Sequence, residues 1–351
     1  MFPAKHELRS GAKEELEWVA LTSQFFCLIV RGEGLAFEGV VVDRVKLPSL
    51  RRDRNDPIPE GMHAVAQLPG FRVEPRASFT QTMTLYAGPK EYDRLRALPA
   101  RETEVMEFGW MEPISVPMLR VMNFIHDRVG NYGVAILLLT CLLRAILWYP
   151  QGLANASAKR MQTVQPLVVE IQNKHREDAE RMNKEMLKIY QDYGVNPLGG
   201  CLPMLIQIPI FFGFFYMLQG AVELRHQGFL WVLDLSQPDT VFRIPGLGWP
   251  LNLLPLVMTG TMYWSMAVAP QPAGADNPMF KVMKFMPLMF LVFCYNYAAA
   301  LSLYWTMQNV LSVVQIKYNL QRTPPTLEEM KQEAEARRAR SRDKRKGSDA
   351  P

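Results

Sequence analysis

The chain has 351 residues and a formal net charge of +5 at pH 7, and 49% of its residues are hydrophobic. That average hides an asymmetry, because the apolar residues concentrate after Val134 and the charges lie elsewhere. The four cysteines show no paired spacing, which argues against a disulfide framework and against a metal site. Long apolar stretches of this kind indicate a membrane protein.

Residues 1–99 are predicted to form a β-rich domain. Trp18–Val30, Ala36–Leu47 and Ser78–Tyr86 are rich in β-branched and aromatic residues, and clusters of Gly, Pro, Asp and Asn separate them. This pattern is typical of an antiparallel sheet or sandwich. The domain contains no group of residues that suggests catalysis.

Residues 107–130 contain a helical stripe of apolar side chains, with polar residues on the other face. The stripe comprises Met118, Val121, Met122, Ile125 and Val129. Such a helix is expected to lie in a membrane interface, because its two faces match the two sides of that interface. The alternative is a helix packed on the β-rich domain.

Residues 131–320 contain five apolar segments, which predict transmembrane helices at about 132–150, 198–220, 251–269, 281–297 and 298–318. Between the first two, residues 154–193 alternate apolar stripes with charges of both signs, which predicts a solvated helical hairpin. Residues 321–351 form a basic tail.

The distribution of Lys and Arg orients these segments, because loops on the cytoplasmic side carry the excess of positive charge. The hairpin holds seven such residues: Lys159, Arg160, Lys174, Arg176, Arg181, Lys184 and Lys188. The loop 221–250 holds only Arg225 and Arg243. The hairpin and tail are therefore predicted to be cytoplasmic, and the β-rich domain to lie on the opposite face.

One full charge, Arg144, lies inside the first apolar segment. It shares its depth with polar residues of the other segments: Gln207, Thr261, Ser265, Gln308 and Asn309. No Asp or Glu occurs in the five segments, so Arg144 has no acidic partner there. The layer indicates a hydrated hollow open to the cytoplasm. The alternatives are a snorkelling arginine and ordinary polar contacts between helices.

Several motifs resemble those of a known family. The segment 193–211 reads YGVNPLGGCLPMLIQIPIF, residues 222–225 read VELR, residues 285–287 read FMP, and residues 86–92 read YAGPKEY. Together with Arg144 they resemble the signatures of YidC-type membrane protein insertases. The resemblance covers most of the chain from about Trp18 to Arg322.

The resemblance implies a five-helix core in the bacterial inner membrane, a periplasmic β domain, and a groove that passes nascent membrane proteins sideways into the bilayer. Arg144 matches the groove arginine, Thr140 and Trp305 match substrate-facing positions, and Gln207 lies within the signature. The Sec translocon, the ribosome and membrane lipids are the implied partners. No cofactor and no small-molecule substrate is expected.

The basic tail resembles the ribosome-binding tails of some members. Its charged residues are Arg337, Arg338, Arg340, Arg342, Lys344, Arg345 and Lys346. Anchoring to anionic lipid is the alternative role for these residues.

Two features depart from the family pattern. Bacterial members usually begin with a further transmembrane helix and a longer periplasmic domain, so we expect a fragment, a misassigned start or a partner that supplies the rest. In addition, Asn296–Leu301 replaces the usual turn between the last two helices.

Three other functions compete with insertion. An anion transporter would use Arg144 as a ligand, but no internal repeat is visible. An intramembrane protease is disfavoured, because all five histidines lie outside the apolar segments. A passive assembly scaffold stays open.

Overall fold

The structure, a computed structural model, describes residues 5–9, 16–34, 36–46, 60–175, 178–196, 202–246, 248–269, 278–320 and 325–336. It divides into two compact units. One contains residues 1–109 with 219–223, and the other contains 110–218 and 224–351.

The first unit contains two three-stranded antiparallel sheets, which confirms the predicted β-rich domain. Their orders are β1-β4-β5 and β2-β3-β6. The strands are β1 (Lys5–Arg9), β2 (Trp18–Thr22), β3 (Phe26–Gly32), β4 (Gly39–Lys46), β5 (Glu60–Gln67) and β6 (Met83–Pro89).

The β-rich segment Trp18–Val30 contains β2 and most of β3, which form a hairpin. The chain reverses at Ser23, whose amide donates to the Phe26 carbonyl at 2.8 Å, and β2 then pairs with β3. Along β3, Cys27 and Ile29 are buried while Phe26 and Leu28 are exposed, as the two-residue period of a strand requires. Helix α1 (Tyr92–Arg96) follows this sheet.

The second unit is built from helices, with one short β-hairpin between α6 and α7. The helices are α2 (Glu112–Val129), α3 (Tyr132–Ile146), α4 (Trp148–Lys174), α5 (Ala179–Asp192), α6 (Leu202–Gly220), α7 (Leu253–Val268), α8 (Pro278–Cys294), α9 (Ala299–Leu320) and α10 (327–336). The hairpin strands are β7 (Thr240–Arg243) and β8 (Pro250–Asn252).

Helix α2 packs closely on α6. The Ser115 hydroxyl donates to the Gly213 carbonyl at 2.8 Å. A Cβ at Gly213 would lie 2.5 Å from Cγ2 of Ile114, so only glycine permits this approach. The buried stripe of α2 includes Met118, Leu119 and Met122, whereas Phe124 is exposed on the other face.

Helix α3 ends earlier than the sequence predicts. The first apolar segment was expected to run to Pro150, but the chain bends by 62° between Ile146 and Trp148. Pro150 then lies in the first turn of α4, where an amide has no partner within the helix and proline is tolerated. The start of α4 is tied to α9, because Gln315 Nε2 donates to the Trp148 carbonyl at 3.0 Å.

Within the described residues, no single helix is both long and apolar enough to cross a membrane. Helices α3 and α4 meet that criterion only when taken together across their bend. Shorter apolar helical segments occupy Leu205–Gly220, Leu253–Val268 and Lys284–Cys294.

Helix α10 packs against the hairpin formed by α4 and α5. A reciprocal cap begins it, in which the Thr326 amide donates to Glu329 Oε2 at 2.8 Å and the Glu329 amide donates to the Thr326 hydroxyl at 3.3 Å. Met330 is fully buried in a cluster with Val164 and Val195. Burial here also raises the pKa of the Tyr190 hydroxyl.

Two further contacts hold α10 in place. Arg160 Nη2 pairs with Glu333 Oε2 at 2.8 Å. Gly194 has a φ of +62°, and a Cβ there would lie 3.2 Å from Cβ of Ala334, so the end of α5 and α10 nearly touch. Helices α4, α5 and α10 therefore form one small packed module.

We expect Met330→Asp to undock α10, because it buries an unpaired carboxylate in an apolar cluster. Hydrogen exchange measured by mass spectrometry should then accelerate at least tenfold in 327–336 and in the last turn of α5. The exposed neighbouring change Lys331→Asp is the control and should leave exchange unaltered. Equal protection in both variants would contradict the packing of α10 on the hairpin.

Candidate functional site

A chain of polar side chains connects helices α6 and α9. Gln207 Nε2 donates to the Tyr304 hydroxyl oxygen at 3.1 Å, and Gln308 Nε2 donates to Gln207 Oε1 at 2.8 Å. Tyr304 is almost fully buried and stacks on Phe214, with ring centroids 3.9 Å apart. The Ser312 hydroxyl extends the polar row by donating to the Gln308 carbonyl at 2.8 Å.

A second set of polar contacts connects α9 to α7. Asn309 Nδ2 donates to Thr261 Oγ1 at 3.1 Å, and the Thr261 hydroxyl donates to the Met258 carbonyl at 2.8 Å. Gln308 and Asn309 are adjacent in α9, so this helix holds both sets. Helix α9 is therefore the element around which the polar groups are arranged.

Arg144 lies in α3 and is only 5% exposed. Within the described part of the chain it forms no ion pair, and its Nε is buried without a hydrogen-bond partner. Helix α3 packs against α9, the helix that carries Tyr304 and Gln308. Thr140, one turn earlier, is buried and donates to the Ile136 carbonyl at 2.7 Å.

A cavity of about 310 Å³ adjoins this polar chain. One wall is aromatic, because the Trp305 ring lies between Phe211 and Phe290, with centroid distances of 4.8 and 4.9 Å. Polar side chains and methionines form the remaining walls of the cavity. The lining residues are Gln207, Ile208, Phe211, Met262, Ser265, Met266, Met286, Phe290, Trp305 and Asn309.

Most predicted groove residues meet at this place. Gln207, Ser265, Trp305 and Asn309 line the cavity, and Thr261 and Gln308 are bonded directly to lining residues. Arg144 and Thr140 lie on α3 and are not among the lining residues. The predicted basic residues of the tail, Arg337 to Lys346, lie outside the described residues.

Sequence reasoning missed Tyr304 and the methionines. Tyr304 precedes Trp305 and stands one turn before Gln308, which is the signal that could have revealed its hydroxyl as part of the polar row. Met262, Met266 and Met286 give the cavity flexible walls that adapt to different shapes. This arrangement suits a varied, partly apolar ligand better than one small molecule.

The comparison with protein families decides the membership. The family model described as 60Kd inner membrane protein matches residues 124–326, which is more than half of the chain. The chain belongs to the 60Kd inner membrane protein family. A second model, described as YidC periplasmic domain, matches residues 4–121.

Relatives named membrane protein insertase YidC are similar to this family member. The protein of Nitratidesulfovibrio vulgaris strain DP4 is 38% identical over 265 residues, which are 73% of this chain and 47% of the relative. That of Pelobacter propionicus is 33% identical over 307 residues, 87% of this chain and 54% of the relative. The chain thus spans about half the length of these relatives.

A solved structure of the family is also similar. The crystal structure described as an active YidC insertase with the first transmembrane domain resolved matches with a TM-score of 0.47 and 19% identity. The match covers 87% of this chain and 65% of that chain.

Proposed function

We propose that this chain is a membrane protein insertase of the bacterial inner membrane, which takes nascent membrane proteins into a groove and releases them sideways into the bilayer. The observation that carries the proposal is Arg144, which is buried without an ion pair among the described residues, on a helix that packs against α9 and its row of polar side chains. Membership of the family, and the insertase name of its relatives, support the same function.

The two parts of the site have different roles in this proposal. Arg144, Gln207 and Gln308 supply charge and hydrogen bonds to the polar flank of a client, which would otherwise enter the bilayer without partners. The ring of Trp305 and the cavity walls contact the client's apolar segment. Together these contacts lower the free-energy barrier to moving the client's polar flank across the bilayer, while the client's apolar segment moves sideways into lipid.

Purified chain in proteoliposomes tests the proposal directly. A radiolabelled client with a short acidic flank should become protected from protease when the chain alone is present. Insertion that requires added Sec translocon would support a joint role with it. Protection no greater than in empty vesicles, with or without Sec translocon, would contradict the proposal and favour a passive scaffold.

We also propose five transmembrane helices, with the α4–α5 hairpin cytoplasmic and both the β-rich domain and the loop 221–250 periplasmic. The Lys and Arg asymmetry supports this orientation. In a background with Cys27, Cys141, Cys201 and Cys294 replaced by alanine, we expect Lys184→Cys to react with an impermeant maleimide only in inverted vesicles. Gln237→Cys should react only from the outside of spheroplasts. Reaction of Lys184→Cys from outside would reverse the topology.

For the tail we propose contact with ribosomal RNA through the cluster Arg337–Lys346, because its cations neutralise phosphates. Deleting residues 337–351 keeps α10 and should lower ribosome cosedimentation at least threefold at low salt. Deleting only 347–351 retains every basic residue and is the control. Unchanged binding after the longer deletion would leave only the role at anionic lipid.

A further inference from the structure

The connection between α6 and α7 exposes large apolar side chains. Leu230 is 73% exposed, Leu233 is 89% exposed and Trp249 is 68% exposed. The segment from Gln227 to Leu233 contains no charged residue. Single exposed apolar residues are ordinary on a protein surface, but several of them on one short connection indicate a contact surface.

This connection is firmly attached to the ends of three helices. Phe229 lies so close to α3 that a Cβ on Gly133 would be 2.1 Å from Cγ of its ring. At the start of α9, the amides of Ala299 and Ala300 donate to the carbonyls of Gln237 and Leu235 at 2.8 and 3.0 Å. Val232 and Leu235 are buried beneath the surface.

The exposed tip is a tight turn in an unusual conformation. Phe229 and Val232 exchange two backbone hydrogen bonds, each of 2.9 Å, with Leu230 and Trp231 between them. Leu230 has a φ of +54°, which glycine adopts freely and a leucine does not. A bulky side chain held at such a position suggests that its exposure serves a contact.

The Trp231 side chain ties the turn Phe229–Val232 to the start of α7 through Asp239. Its Nε1 donates to Asp239 Oδ2 at 3.2 Å, and the same oxygen accepts the Leu254 amide at 2.6 Å. Since Leu254 stands in the first turn of α7, the tip lies at the level where α3, α7 and α9 begin. The apolar side chains are therefore presented by a rigid support and not by a loose loop.

The β7–β8 hairpin of this connection also exposes apolar side chains. All four residues of β7 are exposed, Val241 and Phe242 among them, and Trp249 precedes β8. Arg243 turns back, with its Nη1 donating to the Gly248 carbonyl at 3.3 Å. Tryptophan is enriched where a membrane meets water, because its ring is apolar and its N–H is polar.

We propose that these two tips, Leu230–Leu233 and the β7–β8 hairpin, insert into the lipid interface at the ends of α3, α7 and α9. The partner is phospholipid, because the Leu230–Leu233 tip carries no charge and the connection is continuous with the ends of apolar helices. The proposal rests on the proposed membrane location of the chain but not on its insertase activity. Its consequence is that lipid anchors the α6–α7 connection beside the helix bundle.

Depth-dependent fluorescence quenching tests this contact. In the background without native cysteines, the environment-sensitive dye NBD is attached at Leu233→Cys, at Gln237→Cys as the aqueous control, and at Val257→Cys on α7 as the membrane reference. Vesicles of phosphatidylcholine and phosphatidylglycerol carry a nitroxide either on the headgroup or deep in the acyl chain. We expect the headgroup nitroxide to quench the dye at Leu233 at least twofold more than at Gln237.

The outcomes separate this inference from the proposed function. Quenching at Val257 but not at Leu233 overturns the lipid contact and leaves the membrane location intact, whereas no quenching at either site overturns both. A benzophenone at Leu233 that crosslinks mainly to a second copy or to a client, without quenching of the dye, also overturns it. Unchanged thermal midpoints of the labelled variants show that the folded chain is being measured.

Discussion

Arg144→Ala is expected to leave the chain folded and located in the membrane while lowering client insertion about tenfold. Arg144 forms no ion pair within the described residues, so its removal strands no buried acidic partner. What is lost is a positive charge in surroundings of low dielectric constant, where its attraction for acidic or dipolar groups is much stronger than in water. Clients with acidic flanks should suffer most.

The series Arg144→Lys, Ala and Glu separates charge from geometry. Lysine keeps the positive charge but lacks the planar guanidinium that can form two parallel hydrogen bonds. It should therefore retain much insertion activity if the charge alone is what the client requires. Glutamate reverses the field and should be the worst. Arg128→Ala removes an exposed arginine from α2 and should insert clients at the normal rate.

The measurement is the initial rate of protease protection in proteoliposomes of equal protein content. A normal rate for Arg144→Ala with every client would leave the arginine only an anchoring role. If lysine failed as completely as alanine, a forked contact with the client would replace the argument from charge.

The β-rich domain and the polar row were predictable because each depends on a local pattern. Alternation along β3 follows from the period of a strand, and the depths of Gln207, Gln308 and Asn309 follow from counting along apolar helices. Tyr304 was not predicted, because its role depends on Gln207, almost one hundred residues away in the chain.

The bend before α4 and the docking of α10 show the opposite case. Pro150 is the strongest break signal in its segment, yet α3 ends at Ile146, four residues earlier, and the start of α4 is tied to α9 by the bond from Gln315 to the Trp148 carbonyl. The residues of the α10 cap, Thr326 and Glu329, are recognisable in the sequence, but the many charged residues of the tail obscure the helix that follows them. Met330 is buried by Val164 and Val195, which no local pattern indicates.

Gly133→Ala is expected to destabilise the folded chain by about 1–3 kcal/mol, which is the usual cost of overpacking. The new Cβ would lie 2.1 Å from Cγ and 2.4 Å from Cβ of Phe229, so the base of the ring is in the way and cannot swing aside. Gly260→Ala is the matched control, because Gly260 lies in α7 with nothing within 4 Å of its added Cβ. It should gain a little stability from helix propensity.

A double-mutant cycle identifies the cause. Phe229→Gly alone should destabilise by the loss of packing, and Gly133→Ala should add nothing further in that background, because both the ring and the Cβ that obstruct it are gone. Thermal unfolding in nanodiscs, followed by intrinsic fluorescence, gives the four midpoints. If Gly133→Ala proved as harmless as Gly260→Ala, the α6–α7 connection would not be packed on α3. The rigid support of the Leu230–Leu233 tip would then lose one of its three attachments.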